Sequence, residues 1–387
     1  MSAILTDANQ TPNLTPGQEP GQPPDQLPGQ ASDEPPLKKR LSTRRNPLSL
    51  KRWQRFKSIR RGYWSALILV VLFVLSCFSE LLVNSRALIV SYDGQWYFPT
   101  YGKVIPGTAF GLDYPYETNY RQLQQQFSET GNWVLMPVVP YNPFEISSRT
   151  NEFPPHPPSF SERHYLGTDP VGRDIVARLV YGFRIAMLFS MILLVCNYGI
   201  GVILGCLMGY WGGWFDLLFQ RVIEVWSNIP FLYVVMIIAS IVVPNFWLLI
   251  AIMVFFGWMQ MTWYMRTATY KERERDYVAA ARVMGASTWR IIIQHVLPNT
   301  VSIIITFIPF SIAGAITALT SLDYLGFGLP PPTPSWGELL KQGTDNLQAP
   351  WIVSSVVIAL VVLLTMITFV GEAVREAYDP KRHTYYE

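Results

Sequence analysis

Five long stretches of the chain carry no Asp, Glu, Lys or Arg: 63–79, 185–215, 225–265, 296–322 and 346–371. A helix crossing the hydrocarbon core of a bilayer needs about 17–25 predominantly apolar residues. The pattern predicts spans at roughly 63–83, 185–210, 225–243, 246–265, 300–322 and 350–371. The run 225–265 holds two of them, because Pro244–Asn245 lies near its middle. Proline removes a backbone donor there and asparagine favours a turn. Tyr63, Trp64, Tyr210, Trp211, Trp247, Trp263, Tyr264 and Trp351 fall at or near predicted ends, where amphipathic rings suit the bilayer interface.

Composition agrees with this reading. Charged residues make up 15% and apolar residues 50% of the 387 positions, against about 25% charged in soluble domains. A soluble enzyme and a single-anchor protein are both excluded. Cys77, Cys196 and Cys206 sit inside apolar runs as small hydrophobes, and the four histidines, at 156, 164, 295 and 383, form no ligand cluster.

The net charge of +3 conceals a strong asymmetry. Residues 38–61 carry eleven Lys or Arg and no acid, and the loop 266–299 adds Arg266, Lys271, Arg273, Arg275, Arg282 and Arg290. The final tail adds Arg375, Lys381 and Arg382. On the other side, 244–245 is uncharged and 323–349 has one Lys against three acids. Basic loops stay in the cytoplasm, so six spans with both termini cytoplasmic are expected. The expected organisation is a disordered cytoplasmic tail (1–37), a basic juxtamembrane segment (38–62) and a first transmembrane helix (63–83). An extracytoplasmic insert with a return segment (84–183) follows, then a five-helix core (184–376) with the cytoplasmic loop 266–299, and a cytoplasmic tail (377–387).

Within the basic segment Trp53, Phe56, Ile59 and Tyr63 recur near helical spacing. This marks either a short helix on anionic lipid or simply a topology signal. In the insert, SYDGQWYFPTYGKV mixes strand and turn residues and predicts short strands. The run EFPPHPPSF at 152–160 predicts a stiff polyproline return to the membrane.

Three ways of driving transport are distinguishable from the residues. Ion-coupled carriers keep ionisable groups deep in the membrane, whereas Glu80, Glu224 and Glu372 fall at span ends here. ATP hydrolysis needs a phosphate-cradling G-x-x-x-x-G-K-[ST] loop, and the one Gly-Lys pair, Gly102–Lys103, is followed by Val104. Neither G-x-S-x-G nor H-E-x-x-H occurs. If ATP drives this protein, another chain binds it.

The cytoplasmic stretch RERDYVAAARVMGASTWRIIIQHVLPN, Arg273 to Asn299, carries the most information. Tyr277, Ala280, Ala281 and Met284 share one helical face. Gly285 supplies a residue able to end that helix with positive φ. Ser287 caps a second helix whose apolar face is Trp289, Ile292, Ile293 and Val296 or Leu297, and Pro298 stops or kinks it. The result is a protruding knob that either docks a partner or lies on lipid.

This stretch resembles the EAA loop of bacterial ABC-importer permeases. The family pattern Glu-Ala-Ala-x-x-x-Gly falls on Ala279, Ala280, Ala281 and Gly285, with Ala279 in place of the glutamate. HYLGTDPVGRDIVARLVYGFR (164–184), SLDYLGFGLPPPTPSWGELL (321–340) and APW (349–351) resemble blocks of the dipeptide and oligopeptide permeases of the C type. The insert with SYDGQWYFP, together with VPNFW (243–247), is most similar to the Yej-type subgroup, which imports oligopeptides including the peptide-nucleotide antibiotic microcin C. The resemblance implies an all-α permease of the type I ABC-importer kind, coupled through Tyr277, Ala279, Ala280, Ala281, Arg282 and Gly285 to cytoplasmic ATP-binding subunits. It also implies a second, B-type permease and a periplasmic substrate-binding protein as partners. No cofactor is expected on this chain, since ATP would be hydrolysed by the partners, and nucleic acid is not an expected partner. A nickel chelate or other small solute as cargo, and a channel or scaffold without an ATPase, are the competing readings.

Smaller signals complete the expectations. Gly201, Gly205 and Gly209 form a small-residue ridge for packing within the chain or between chains. Asn197, Asn228 and Gln260 either line a peptide pathway or bridge helices. Asp169, Arg173 and Asp174 read as surface ion pairs or caps.

Overall fold

The computed structural model describes residues 47–127, 131–147 and 153–379. The tail expected to be disordered at 1–37, the start of the basic segment and most of 377–387 lie outside these residues. Helix α1 (Pro47–Ser58) leads through the single residue Ile59 into α2 (Arg60–Cys77), and a short turn of helix, α3 (Ser79–Leu82), closes the first apolar run.

The insert holds a three-stranded antiparallel sheet in the order β2-β1-β3, formed by β1 (Ile89–Tyr92), β2 (Gln95–Tyr97) and β3 (Trp133–Leu135). Val90 pairs with Tyr97 on one side and Val134 on the other. Asp93 and Gly94, with φ of 48° and 77°, make the tight β1–β2 turn, as a two-residue hairpin requires. Helix α4 (Tyr120–Phe127) covers one face, burying Ala87, Val90, Phe110, Tyr120, Leu123, Phe127 and Val134 in a small separate core. The proline run adopts neither helix nor strand between 153 and 158.

Five single helices are long and apolar enough to cross a membrane: α2, α5 (Ile175–Trp211), α8 (Phe246–Arg273), the helix over Thr288–Leu325, and α13 (Pro350–Tyr378). The span expected at 225–243 is instead a bent pair, α6 (Gly213–Ser227) and α7 (Phe231–Ile241), meeting at 66°. Pro230 explains the break, because it lacks an N–H and disfavours helix at the residue before it. Helix α5 begins at Ile175, not 185, and so takes Arg178 and Arg184 into the helix.

The glycine ridge decides the packing of the core. A Cβ on Gly201 would lie 2.8 Å from Trp258 O, one on Gly205 2.6 Å from Thr262 O, and one on Gly209 2.6 Å from Arg266 O. The ridge therefore serves packing within the chain. Position advances in the same sense on both helices, so α5 and α8 run parallel, and the α6–α7 pair carries the chain back between them. Phe183, Phe189 and Leu193 of α5 then pack with Leu249, Ile316, Leu319 and Val356 in the main core.

Asp169, Arg173 and Asp174 are not surface pairs, as their spacing had suggested. All three are buried, with Arg178 fully enclosed beside them. Arg173 Nε donates to Asp169 at 2.7 Å, and Arg173 Nη2 donates to Glu338 at 3.0 Å. Arg178 pairs with the same Glu338, which lies on α12 (Trp336–Asp345). Asp174 does act as a cap, accepting from Ala177 N at 2.8 Å while its other oxygen meets His164 Nδ1 at 2.7 Å. Burial is tolerated because each charge is paired, Asp169 with Arg173 and Asp174 with His164 locally, and Arg173 and Arg178 with Glu338 from a distant segment.

Candidate functional site

The knob grows directly out of the membrane helices. Helix α8 ends at Arg273, and α9 (Asp276–Val283) follows after a two-residue turn. Gly285 takes φ of 76°, a value that costs an ordinary L-residue about 1–2 kcal/mol. Ser287 then caps α10 (Thr288–Ile291), its hydroxyl accepting from Arg290 N at 3.4 Å. These three features match the sequence expectation.

Pro298 does not stop the second helix. A π-helical turn at Ile292–Val296 leads into α11 (Leu297–Leu325) without interruption, with the Leu297 N–H bonded back to Ile292 O. The wider turn passes the chain into Pro298, which sits in the first turn of α11, where a missing N–H is tolerated.

The faces also differ from those the spacing suggests. Val278, Ala281, Ile291 and Val296 turn inward to form the knob's own core, with Tyr210 and Ala286 against it. Tyr277, Ala279, Ala280 and Met284 face outward, and Met284 and Val283 are 80% and 88% exposed. Trp289 and Ile293 are exposed as well, so Ile291 replaces them on the inner face. The knob thus presents an apolar ridge that its own helices leave uncovered.

Polar contacts fix the ridge to the helices behind it. The Tyr277 hydroxyl donates to the Glu272 carboxylate and accepts from Asn299 Nδ2 at 3.1 Å. Partial burial, reinforced by that carboxylate, pushes the Tyr277 phenol up to about 12, so it stays a protonated donor at neutral pH. The Arg282 guanidinium stands over the Tyr210 ring, 5.5 Å from its centroid. Arg266 clasps Asp216 of α6 through two bonds of 2.5 and 2.7 Å, and Tyr270 adds a third of 2.6 Å. Helices α6 and α8 are therefore tied together where the knob leaves them, and Arg282 ties the knob to α5.

A second feature lies among α5, α8 and α11: a cavity of about 260 Å³ lined by Asn197, Tyr198, Gln260, Tyr264, Phe307 and Ser311, among others. Asn197 reaches it over Gly257, whose missing Cβ would meet the amide at 2.3 Å. The Asn197 Oδ1 is buried with no partner among the described residues. Tyr198 and Ser311 share a hydroxyl–hydroxyl bond of 2.8 Å, and Tyr264 stacks on Phe307 at 4.2 Å. Among the described residues no charged side chain lines the space. Asn228 stands apart from it, at the end of α6, donating to Glu224 O at 2.6 Å. Sequence reasoning missed Tyr198 and Ser311, although hydroxyl groups inside apolar runs were the available signal.

The family model for the inner membrane component of binding-protein-dependent transport systems matches residues 201–384, which include the knob. The inner membrane ABC transporter permease protein YejE of Escherichia coli (strain K12) is 45% identical across 88% of this chain and 99% of its own length. The chain belongs to that permease family. A second relative, the peptidoglycan transport system permease protein YejE of Agrobacterium fabrum, is 38% identical over 87% of this chain and 94% of its own. The oligopeptide transport system permease protein OppC of Mycobacterium tuberculosis (strain H37Rv) is 34% identical over 64% of this chain and 84% of its own. The shorter OppC match leaves more than a third of this permease unpaired. The fold agrees with membership: this is a helical, multi-pass membrane protein.

Proposed function

We propose that this permease forms one half of the membrane pathway of an ATP-driven importer of peptides. The knob carries the proposal: an uncovered apolar ridge, held by its own core, at the end of the molecule that also bears α1 and the last turn of α13. In this reading that end is cytoplasmic in the inner membrane, and both termini lie there. The ridge seats on ATP-binding subunits that hydrolyse ATP, a second permease completes the pathway, and a binding protein delivers cargo at the insert side. Nothing in this chain needs to bind ATP itself. The relatives named for oligopeptide and peptidoglycan transport favour peptide cargo over a metal chelate. The uncharged cavity with Asn197 and Gln260 suits a peptide main chain, whose N–H and C=O groups seek partners whatever the side chains carry.

The coupling role is testable at Gly285. A Cβ there would meet nothing within 4 Å, so a substitution acts through φ alone. Gly285→Val is expected to cut peptide uptake at least tenfold while the chain still inserts in the membrane. Gly285→Asn, which tolerates the left-handed conformation, should retain most uptake. Uptake of a labelled peptide, with co-purification of ATP-binding subunits, reads both. Full uptake by the valine variant would remove the knob from the coupling path.

A further inference from the structure

Helix α1 uses one of its faces to hold onto α13. Arg52 stands over the Tyr378 ring at 4.7 Å, Arg55 pairs with Glu376 at 3.6 Å, and Arg61 at the start of α2 pairs with Glu372 at 3.5 Å. Gly62 lets α2 close on Ala373 of α13, since a Cβ would sit 2.1 Å from that residue's own Cβ. The opposite face is left open. Leu50 and Trp53 are 44% and 51% exposed, Lys57 on the same face and Arg60 at the start of α2 are exposed as well, and neither cation has an ion pair among the described residues. Trp53 stacks on Phe56 at 5.7 Å and carries Lys57 over its ring at 5.2 Å.

We propose that this open face, formed by Trp53 and Lys57 of α1 with Arg60 at the start of α2, is a binding site for anionic phospholipid headgroups. Position along the chain supports this choice. Helix α2 is mostly exposed along its apolar length, as a helix facing lipid would be, and its aromatic pair Tyr63 and Trp64 marks the interface. At 1.5 Å per residue, Arg60 and Lys57 stand about 5 and 9 Å before Tyr63, within or just above a headgroup layer about 5–8 Å deep. A tryptophan covered by a lysine, with an arginine following and no acid among them, matches the surface of an anionic leaflet, where each cation contributes roughly a fivefold gain in binding. A topology signal explains the sign of these charges. It does not explain why Arg52 and Arg55 hold one face of α1 against α13 while Trp53 and Lys57 are turned outward on the other. Assigning this face to the cytoplasmic leaflet rests on the importer reading.

The test counts bound lipid on the detergent-purified full chain by native mass spectrometry, titrating phosphatidylglycerol against phosphatidylcholine. The wild type is expected to retain phosphatidylglycerol preferentially and to lose that preference as salt is raised. The double variant Lys57→Gln/Arg60→Gln should lose roughly fivefold for each cation removed, while Lys57→Arg/Arg60→Lys should keep the preference. Equal retention of the two lipids by the wild type overturns the proposal, as does a preference that is insensitive to salt or survives in the glutamine variant. A glutamine variant that keeps its lipid preference but sheds the ATP-binding subunits assigns the face to a protein partner instead. The count needs no transport, so failure of peptide uptake would strike the importer reading and leave the lipid result standing.

Discussion

Arg178→Ala should be among the most damaging single substitutions in the molecule, costing about 3–5 kcal/mol of stability. The side chain is fully enclosed. It pairs with Glu338 of α12 and reaches Pro143, Pro332 and Thr333 carbonyls, each at 3.4 Å. Removing it leaves Asp169 and Glu338 to share Arg173 in a space closed to water, and an uncompensated buried carboxylate is expensive. It also opens a cavity where the insert's return segment, α5 and α12 converge. The size of the loss arises from the partner left behind, so the double variant Arg178→Met/Glu338→Leu should lose less than the alanine variant alone, since an apolar replacement of a buried pair is often neutral. Thermal unfolding of the three proteins, followed by fluorescence-detected size exclusion, measures both effects. An alanine variant that melts with the wild type would show that water already reaches the network.

Gly205→Leu is expected to be comparably severe for a different reason. The substitution sets a side chain against the Thr262 carbonyl at 2.6 Å and the Met265 Cβ at 2.7 Å. Backbone cannot move aside as a flexible side chain can, and overpacking typically costs about 1–3 kcal/mol or more. Relief requires α5 and α8 to separate, which would also strain the Asp216–Arg266 clasp one helical turn further on. We expect little folded protein in membranes, with the remainder open to protease at the α8–α9 turn. Gly199, which faces nothing within 4 Å, provides the control: Gly199→Leu should accumulate normally. Equal yields of the two variants would mean that the helices are not in contact along this ridge.

These two sites mark what the sequence made legible and what it hid. The ridge is visible as glycine at every fourth position, because helix packing is a local repeat. The ion network is not, because Arg173 and Glu338 are 165 positions apart and no local pattern pairs them. For the same reason the apolar pattern starts α5 beyond Arg178 and Arg184: an arginine reads as the end of a span until its distant acid is known, here Glu338 and Glu80. The break at Pro230 was written in the sequence but outweighed by the length of the uncharged run around it. In the knob, Gly285 and Ser287 announce themselves because each has one backbone task. Which of Ala280 and Ala281 faces inward depends instead on where Ile291 arrives.

The unbroken passage from α10 into α11 changes what a push on the knob accomplishes. The helix from Thr288 to Leu325 has 38 residues and is about 57 Å long. Its head is the inner strut of the knob, and its tail holds Asp323, which accepts from Ser335 and from Leu329 N at the far end of the molecule. Such a helix is a lever with Pro309 inside it as the point where it can bend, and each degree of tilt carried from head to tail displaces the tail by about 1 Å. The loop before α12 hangs from that tail, and Glu338 on α12 grips Arg173 and Arg178. A rotation of a few degrees on one side of the membrane therefore reaches the buried charges on the other as a displacement comparable to the length of a hydrogen bond.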